Sequence, residues 1–115
     1  MRRVEKPWGH ELIWAEATRY VGKILHIKAG EALSLQYHRV KEETLYMQSG
    51  EMIVELAREG EPLRPHPMKP GDVLHITPGL RHRMIATTDC DVFEVSTPEL
   101  DDVVRLEDRY GRQGR

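Results

Sequence analysis

The chain is short of the residues that staple or fill a small core. It has one cysteine, one phenylalanine and two tryptophans among 115 residues. With Cys90 alone, no intrachain disulfide can form and no thiolate-rich metal site can be built. Asp89 and Asp91 flank Cys90 and disfavour its thiolate, so it is not a nucleophile candidate. No apolar run approaches the ~20 residues of a membrane-spanning helix. The opening Met1-Arg2-Arg3-Val4-Glu5-Lys6 leads into no apolar stretch, as a secretory signal does. These absences point to the cytoplasm and away from a membrane. Neither sign of charge dominates, with 17 Lys and Arg against 19 Asp and Glu and a net charge of −2. That balance gives no basic footprint for nucleic acid and no acidic block for a disordered tail.

Helical periodicity is nearly absent. What remains is a series of short β-rich runs separated by turn residues, the pattern of an all-β sandwich or barrel. The runs are Glu11–Ala15, Tyr20–Lys28, Ala32–Tyr37, Thr44–Gln48, Met52–Leu56, Val73–Ile76, Arg83–Ala86 and Val92–Ser96. Turns fall at Ser49-Gly50-Glu51, Lys69-Pro70-Gly71-Asp72 and Thr77-Pro78-Gly79. Pro62, Pro65, Pro67 and Pro70 crowd one segment, which reads as a loop or an edge strand because proline donates nothing to a ladder. Length fits one domain over 1–115, with a core of about 6–98 and a C-terminal tail of 99–115. Within the tail, Val103 and Val104 fit the start of a strand or a helical turn, and Gly111-Arg112-Gln113-Gly114-Arg115 has no core residue and is expected to fray.

Two glycine-bounded blocks carry chemistry: Gly30-x5-Gln36-x-His38-x4-Glu43-x6-Gly50, and Gly71-x7-Gly79-x2-His82. In a strand, residues i and i+2 share a face, so Gln36 and His38 project together. Glu43 opens the next strand and reaches back, and His82 arrives after the Pro78-Gly79 turn. Two imidazoles, a carboxylate and an amide oxygen suit one divalent ion, zinc first, with Mn, Fe, Co or Ni as the other candidates.

The two blocks resemble the paired motifs of the cupins. The resemblance implies a double-stranded β-helix, a jelly-roll barrel of two antiparallel sheets, holding a metal on Gln36, His38, Glu43 and His82. Gln36 departs from the usual first histidine, and Thr77 stands where the second motif often has proline. A Gln-His-Glu-His set is similar to that of phosphomannose isomerases. Further stretches resemble the C-terminal cupin domain of type II mannose-6-phosphate isomerases: Lys6-Pro7-Trp8-Gly9, Ile27-Lys28-Ala29-Gly30, Leu33-Ser34-Leu35-Gln36-Tyr37-His38, Ser49-Gly50, and Asp101 to Arg112 ending in Tyr110-Gly111-Arg112. That domain is usually fused to a guanylyltransferase; no counterpart lies in these residues, so nucleotide transfer is not expected. The segment Arg39-Val40-Lys41-Glu42 before Glu43, and Thr44-Leu45 after it, departs from the family pattern and leaves the substrate open.

The resemblance implies an aldose–ketose isomerase acting on a sugar phosphate, an anionic ligand that a positive metal site favours. Such a reaction needs a base near the C–H bond. Lys23 is the candidate: it aligns with a lysine of the similar family and shares a strand face with Val21, Leu25 and Ile27. That face lies in an apolar barrel wall, where desolvation favours the neutral amine, or else it turns to solvent. Arg105 and Arg112 are candidates for gripping the phosphate through their planar forks. Two other readings stand beside this one: a cupin that binds a small metabolite without catalysis, and a different metal enzyme such as a dioxygenase, against which Gln36 counts. His10, His26, His66 and His75 lie outside the motif spacing, though His75 is a pocket-lining candidate by analogy. Trp8 and Trp14 read as core or dimer contacts. Sheet edges need covering, so a homodimer is expected.

Overall fold

A computed structural model describes residues 1–113. They form eleven strands and, among the described residues, no helix. The strands are β1 (Arg2–Lys6), β2 (Gly9–Glu16), β3 (Val21–Ile27), β4 (Leu35–Tyr37), β5 (Glu43–Ser49), β6 (Met52–Ala57), β7 (Arg64–Met68), β8 (Val73–Ile76), β9 (Arg81–Ala86), β10 (Cys90–Ser96) and β11 (Val104–Glu107). A six-stranded sheet runs β1-β2-β3-β10-β5-β8 and a five-stranded sheet runs β11-β4-β9-β6-β7. Every strand pairing is antiparallel. This is the all-β jelly-roll of two packed sheets.

Alternation decides which face of each strand is inside. In β5, Glu43, Leu45 and Met47 are buried; in β9, His82, Met84 and Ala86; in β10, Val92, Glu94 and Ser96. One end of the interior is apolar, with Leu25, Ile27, Leu45, Met47, Met52, Val54, Met68, Ile76, Met84 and Val92 packed together. The other end is charged, because the same inward register also carries Glu11, Lys23, Glu43 and Glu94.

Gly9, in the Pro-Trp-Gly segment, has φ +152°, and a Cβ there would lie 1.9 Å from the carbonyl oxygen of His26. The glycine lets β2 start hard against β3 while Trp8 turns into the core, 2% exposed.

The proline-rich segment is an edge strand, β7, paired to β6 alone. The tail runs as a strand, β11, beside β4. Arg112 is held rather than frayed: its backbone N–H and its guanidinium all donate to Asp108. Gly114 and Arg115 lie outside the described residues. The first strand, β1, has no signal of alternating apolar residues and forms by pairing with β2 across the Pro7-Trp8 turn. No helix among the described residues is long and apolar enough to cross a membrane.

Candidate metal centre

Gln36 and His82 are direct partners in the β4–β9 ladder. His38 follows β4, and Glu43 opens β5 after the intervening loop. The fold therefore brings His38, Glu43 and His82 to one place, with one ligand atom of each within 4.8 Å of the others. All three are buried.

The tautomers are set from outside the cluster. Nδ1 of His38 donates to the carbonyl oxygen of Asp102, and Nδ1 of His82 donates to that of Leu80 at 2.9 Å. Each Nε2 then carries a lone pair aimed inward, and neither has a hydrogen-bond partner among the described residues. Glu43 Oε1 lies 3.4 Å from His82 Nε2, and Oε2 lies 3.7 Å from His38 Nε2. Bonds of ~2.0–2.2 Å in a tetrahedral site set neighbouring ligand atoms roughly 3.4 Å apart. The donor set and its spacing fit a divalent ion. Gln36 lines the same cavity, and its Oε1 accepts a hydrogen bond from Ser34 Oγ at 2.6 Å, which leaves a second lone pair.

Burial works against the Glu43 charge, but hydrogen bonds from His38 and His82, made when a proton rather than an ion sits on Nε2, and the charge of Lys41 outweigh it and hold the carboxyl well below the usual carboxylate range. Lys41 is a residue that motif reasoning passed over. Its Nζ lies 3.1 Å from Glu43 Oε2 and 3.2 Å from Glu94 Oε2. The signal was available: Lys41, Glu43, Leu45 and Met47 continue one period-2 face. Asp102 was passed over too. Its carboxylate accepts the backbone N–H groups of Arg39, Val40 and Lys41, tying the C-terminal segment to the loop between His38 and Glu43. Burial opposes the Asp102 charge, and those three donors hold its carboxyl below the ordinary range.

Gln36, His38 and Glu43 line a cavity of about 270 Å³. Lys23, Arg105 and Arg112 all line it. Arg105 is placed there by the ladder, opposite Gln36. Lys23 faces inward and is buried, but its surroundings are not apolar: Nζ lies 3.3 Å from Glu11, and Glu94 is its cross-strand partner. The side chains lining the cavity include Arg2, Lys6, Lys23, Lys41, Arg105 and Arg112 against Glu11, Glu43, Glu94 and Asp101. Burial pushes the Lys6 ammonium below its usual range; Glu11 opposes this, while Lys23, Arg112 and Arg105 add to it.

His75 does not line the cavity. It turns outward and pairs with Glu42. His10 and His26 stack on each other outside, at 5.0 Å between ring centroids, and His26 pairs with Asp91.

The fold and the buried two-histidine, one-carboxylate cluster define a β jelly-roll with a candidate metal pocket. Residues 23–96 match the cupin domain family, and the chain belongs to it. Over 116 aligned residues the chain is 34% identical to the mannose-1-phosphate guanylyltransferase ManC of Salmonella typhimurium, covering 96% of this chain but 23% of that protein. The resemblance resting on the Pro-Trp-Gly and Tyr-Gly-Arg ends is borne out by this match. Among solved structures it is similar to KdgF from a Halomonas species, at TM-score 0.75 and 21% identity over 88% of this chain and 91% of that one. It is also similar to a sugar phosphate isomerase of the cupin superfamily from Silicibacter pomeroyi, at TM-score 0.65 and 20% identity over 76% and 58%. These structural likenesses show the fold.

Proposed function

We propose that the protein is a cytoplasmic cupin that binds one divalent ion, zinc first, on Gln36, His38, Glu43 and His82, and isomerises a phosphorylated sugar between aldose and ketose forms. The observation that carries this reading is the pair of buried, inward-facing Nε2 lone pairs beside Glu43 in the wall of a cavity rich in cations. The names of two similar proteins, a mannose-1-phosphate guanylyltransferase and a sugar phosphate isomerase, support a sugar-phosphate ligand. When bound, the ion supplies Lewis-acid polarisation of adjacent sugar oxygens. Arg105 and Arg112 hold the phosphate through their forks. Lys23, with the Glu11 carboxylate beside it, carries the proton between C2 and C1.

A second reading has its own support. The Lys41 ammonium already faces one Glu43 oxygen, as it would in a cupin that binds a metabolite without catalysis.

The test begins with metal content of the purified protein and of His38→Ala and His82→Ala, both of which lose the ion on dialysis. Stoichiometric metal in both variants refutes the site. A thermal-shift series with mannose 6-phosphate, fructose 6-phosphate, glucose 6-phosphate and the free sugars follows; a bound ligand at a hundredfold excess over its Kd stabilises by about 2.7 kcal/mol. Proton exchange at C2 in heavy water, followed by NMR, reports isomerase chemistry, and Lys23→Met abolishes it with metal content unchanged. Phosphate-dependent shifts without C2 exchange refute the isomerase and favour the second reading.

A further inference from the structure

Lys6 closes β1, and with Arg2 and Val4 it stands on the face of that strand that lines the cavity. The three residues after it fix its place. Pro7 restrains the backbone. Trp8 is buried and lines the same cavity, and its carbonyl oxygen accepts the Lys28 N–H at 3.0 Å. At Gly9 any Cβ would strike the His26 carbonyl. A stretch with little freedom therefore delivers the Lys6 ammonium to the cavity wall.

Most of the charges it meets there share its own sign. Lys23, Arg112 and Arg105 all act against the Lys6 charge, and Glu11 alone favours it. Glu11 is already engaged, because Lys23 Nζ donates to its two oxygens at 3.3 and 3.4 Å. Arg112 is likewise engaged with Asp108. Among the described residues Lys6 Nζ has neither a hydrogen bond nor an ion pair. A half-buried ammonium among like charges costs stability, and such a cost is characteristic of a place kept for a ligand.

We propose that Lys6 is the residue that selects a phosphorylated sugar over its neutral parent, its ammonium taking the phosphoryl group while Trp8, Leu25, Leu33 and Met84 form the apolar wall for the sugar carbons. This inference rests on the sugar-phosphate reading above. A phosphate dianion answers several converging cations at once, where a neutral hydroxyl answers none. Lysine suits the task as a point charge that makes no demand on the ligand's orientation. An apolar wall with a few placed polar groups is the usual composition of a small-molecule site. The Pro-Trp-Gly segment then has a purpose beyond packing, since it sets both the cation and one side of the wall.

Titration calorimetry of the full chain at fixed ionic strength tests this, with mannose 6-phosphate, inorganic phosphate, glucuronate and mannose as probes. Lys6→Met is expected to raise the Kd for mannose 6-phosphate at least ~10-fold, the loss of one hydrogen bond to a charged group. Lys6→Arg keeps the charge and recovers most of that loss. Lys69→Met removes an exposed charge outside this cavity and leaves the Kd unchanged. Melting without ligand supplies a second readout. Lys6→Met should melt no lower than the parent, because it relieves repulsion, whereas a lysine that only held the fold would take stability with it. An unchanged Kd in Lys6→Met, an equal loss in Lys69→Met, or a lower ligand-free melting point in Lys6→Met overturns the proposal. So does glucuronate, with its single charge, binding more tightly than mannose 6-phosphate, or a parent chain that binds neither phosphate probe. The isomerase reading is judged separately by C2 exchange: Lys6-dependent binding of the phosphates without exchange refutes that reading and supports this one.

Discussion

Replacing Lys41 with methionine removes the cation between two carboxylates that have almost no contact with water. The side chains of Lys41, Glu43 and Glu94 are 6%, 2% and 5% exposed. Burial alone disfavours the lysine charge, but Glu94 and Glu43 outweigh it and lift the ammonium above the ordinary lysine range. Removing one partner of such a group leaves an uncompensated buried charge, which costs about 3–5 kcal/mol. For a chain of this size, at roughly 4 °C per kcal/mol, the metal-free protein should melt about 12–20 °C lower. The penalty should depend on pH. Burial, and then Glu43, already push the Glu94 carboxyl up. A carboxyl raised above its unfolded value of about 4.3 contributes stability below that value and loses it as pH rises through the folded value. The gap between Lys41→Met and the unmodified chain should therefore widen from pH 5 to pH 8. Adding Glu94→Gln should recover at least half of the loss, because both charges of the pair are then gone. Urea unfolding in the presence of a chelator measures all three proteins. A Lys41→Met variant within about 1 kcal/mol of the parent at pH 8, or one that Glu94→Gln does not improve, refutes the reasoning.

Asp108 gives a second titration of opposite sign. Hydrogen bonds from the Arg112 side chain, and then from its backbone N–H, outweigh burial and hold the Asp108 carboxyl below the usual range. The stability it adds is present above its unfolded value of about 3.9 and is lost as pH falls through the lower folded value. Asp108→Asn should cost about 2 kcal/mol at neutral pH and flatten the acid limb of the stability curve, read by urea titration at stepped pH. Cys90 supplies a third test. Burial, and then Asp89 and Asp91, push its thiol up to about 11. An exposed thiol titrates near 8.5, so stability should decline as pH climbs from there toward 11. The native protein at pH 8 should react with a disulfide reagent at least ~100-fold more slowly than the unfolded chain.

The fold was legible because an antiparallel barrel writes itself in local signals. Strand β8 runs over Val73–Ile76, the span that alternation and the flanking glycine turns give. The prolines marked the segment as a loop or an edge strand, and it is the edge strand β7. What was not legible lacked a local signal. Strand β1, Arg-Arg-Val-Glu-Lys, has no apolar alternation and exists because β2 offers it an edge. The same holds for β11: Val103 and Val104 suit either a strand or a turn until β4 pairs with Val104.

At the candidate site, spacing along the chain was enough to gather His38, Glu43 and His82 as a group. It was not enough to give them their electrostatic setting. Glu94 is more than fifty residues from Lys41, and only the β10–β5 ladder brings them to one face. The expectation of an apolar wall around Lys23 failed for the same reason, since Glu11 and Glu94 come from neighbouring strands. The consequence is a different source for the positive field. The case for an anionic substrate first rested on the charge of a bound ion. In the folded chain Glu11 faces Lys23, and Glu43 and Glu94 share Lys41. The remaining basic lining, Arg2, Lys6, Arg105 and Arg112, outweighs Asp101. Arg2 and Arg112 have acidic partners of their own, Glu16 and Asp108. On the proposed reading, attraction of an anionic ligand draws on the protein's own side chains, Lys6 among them, as well as on an ion beside Glu43.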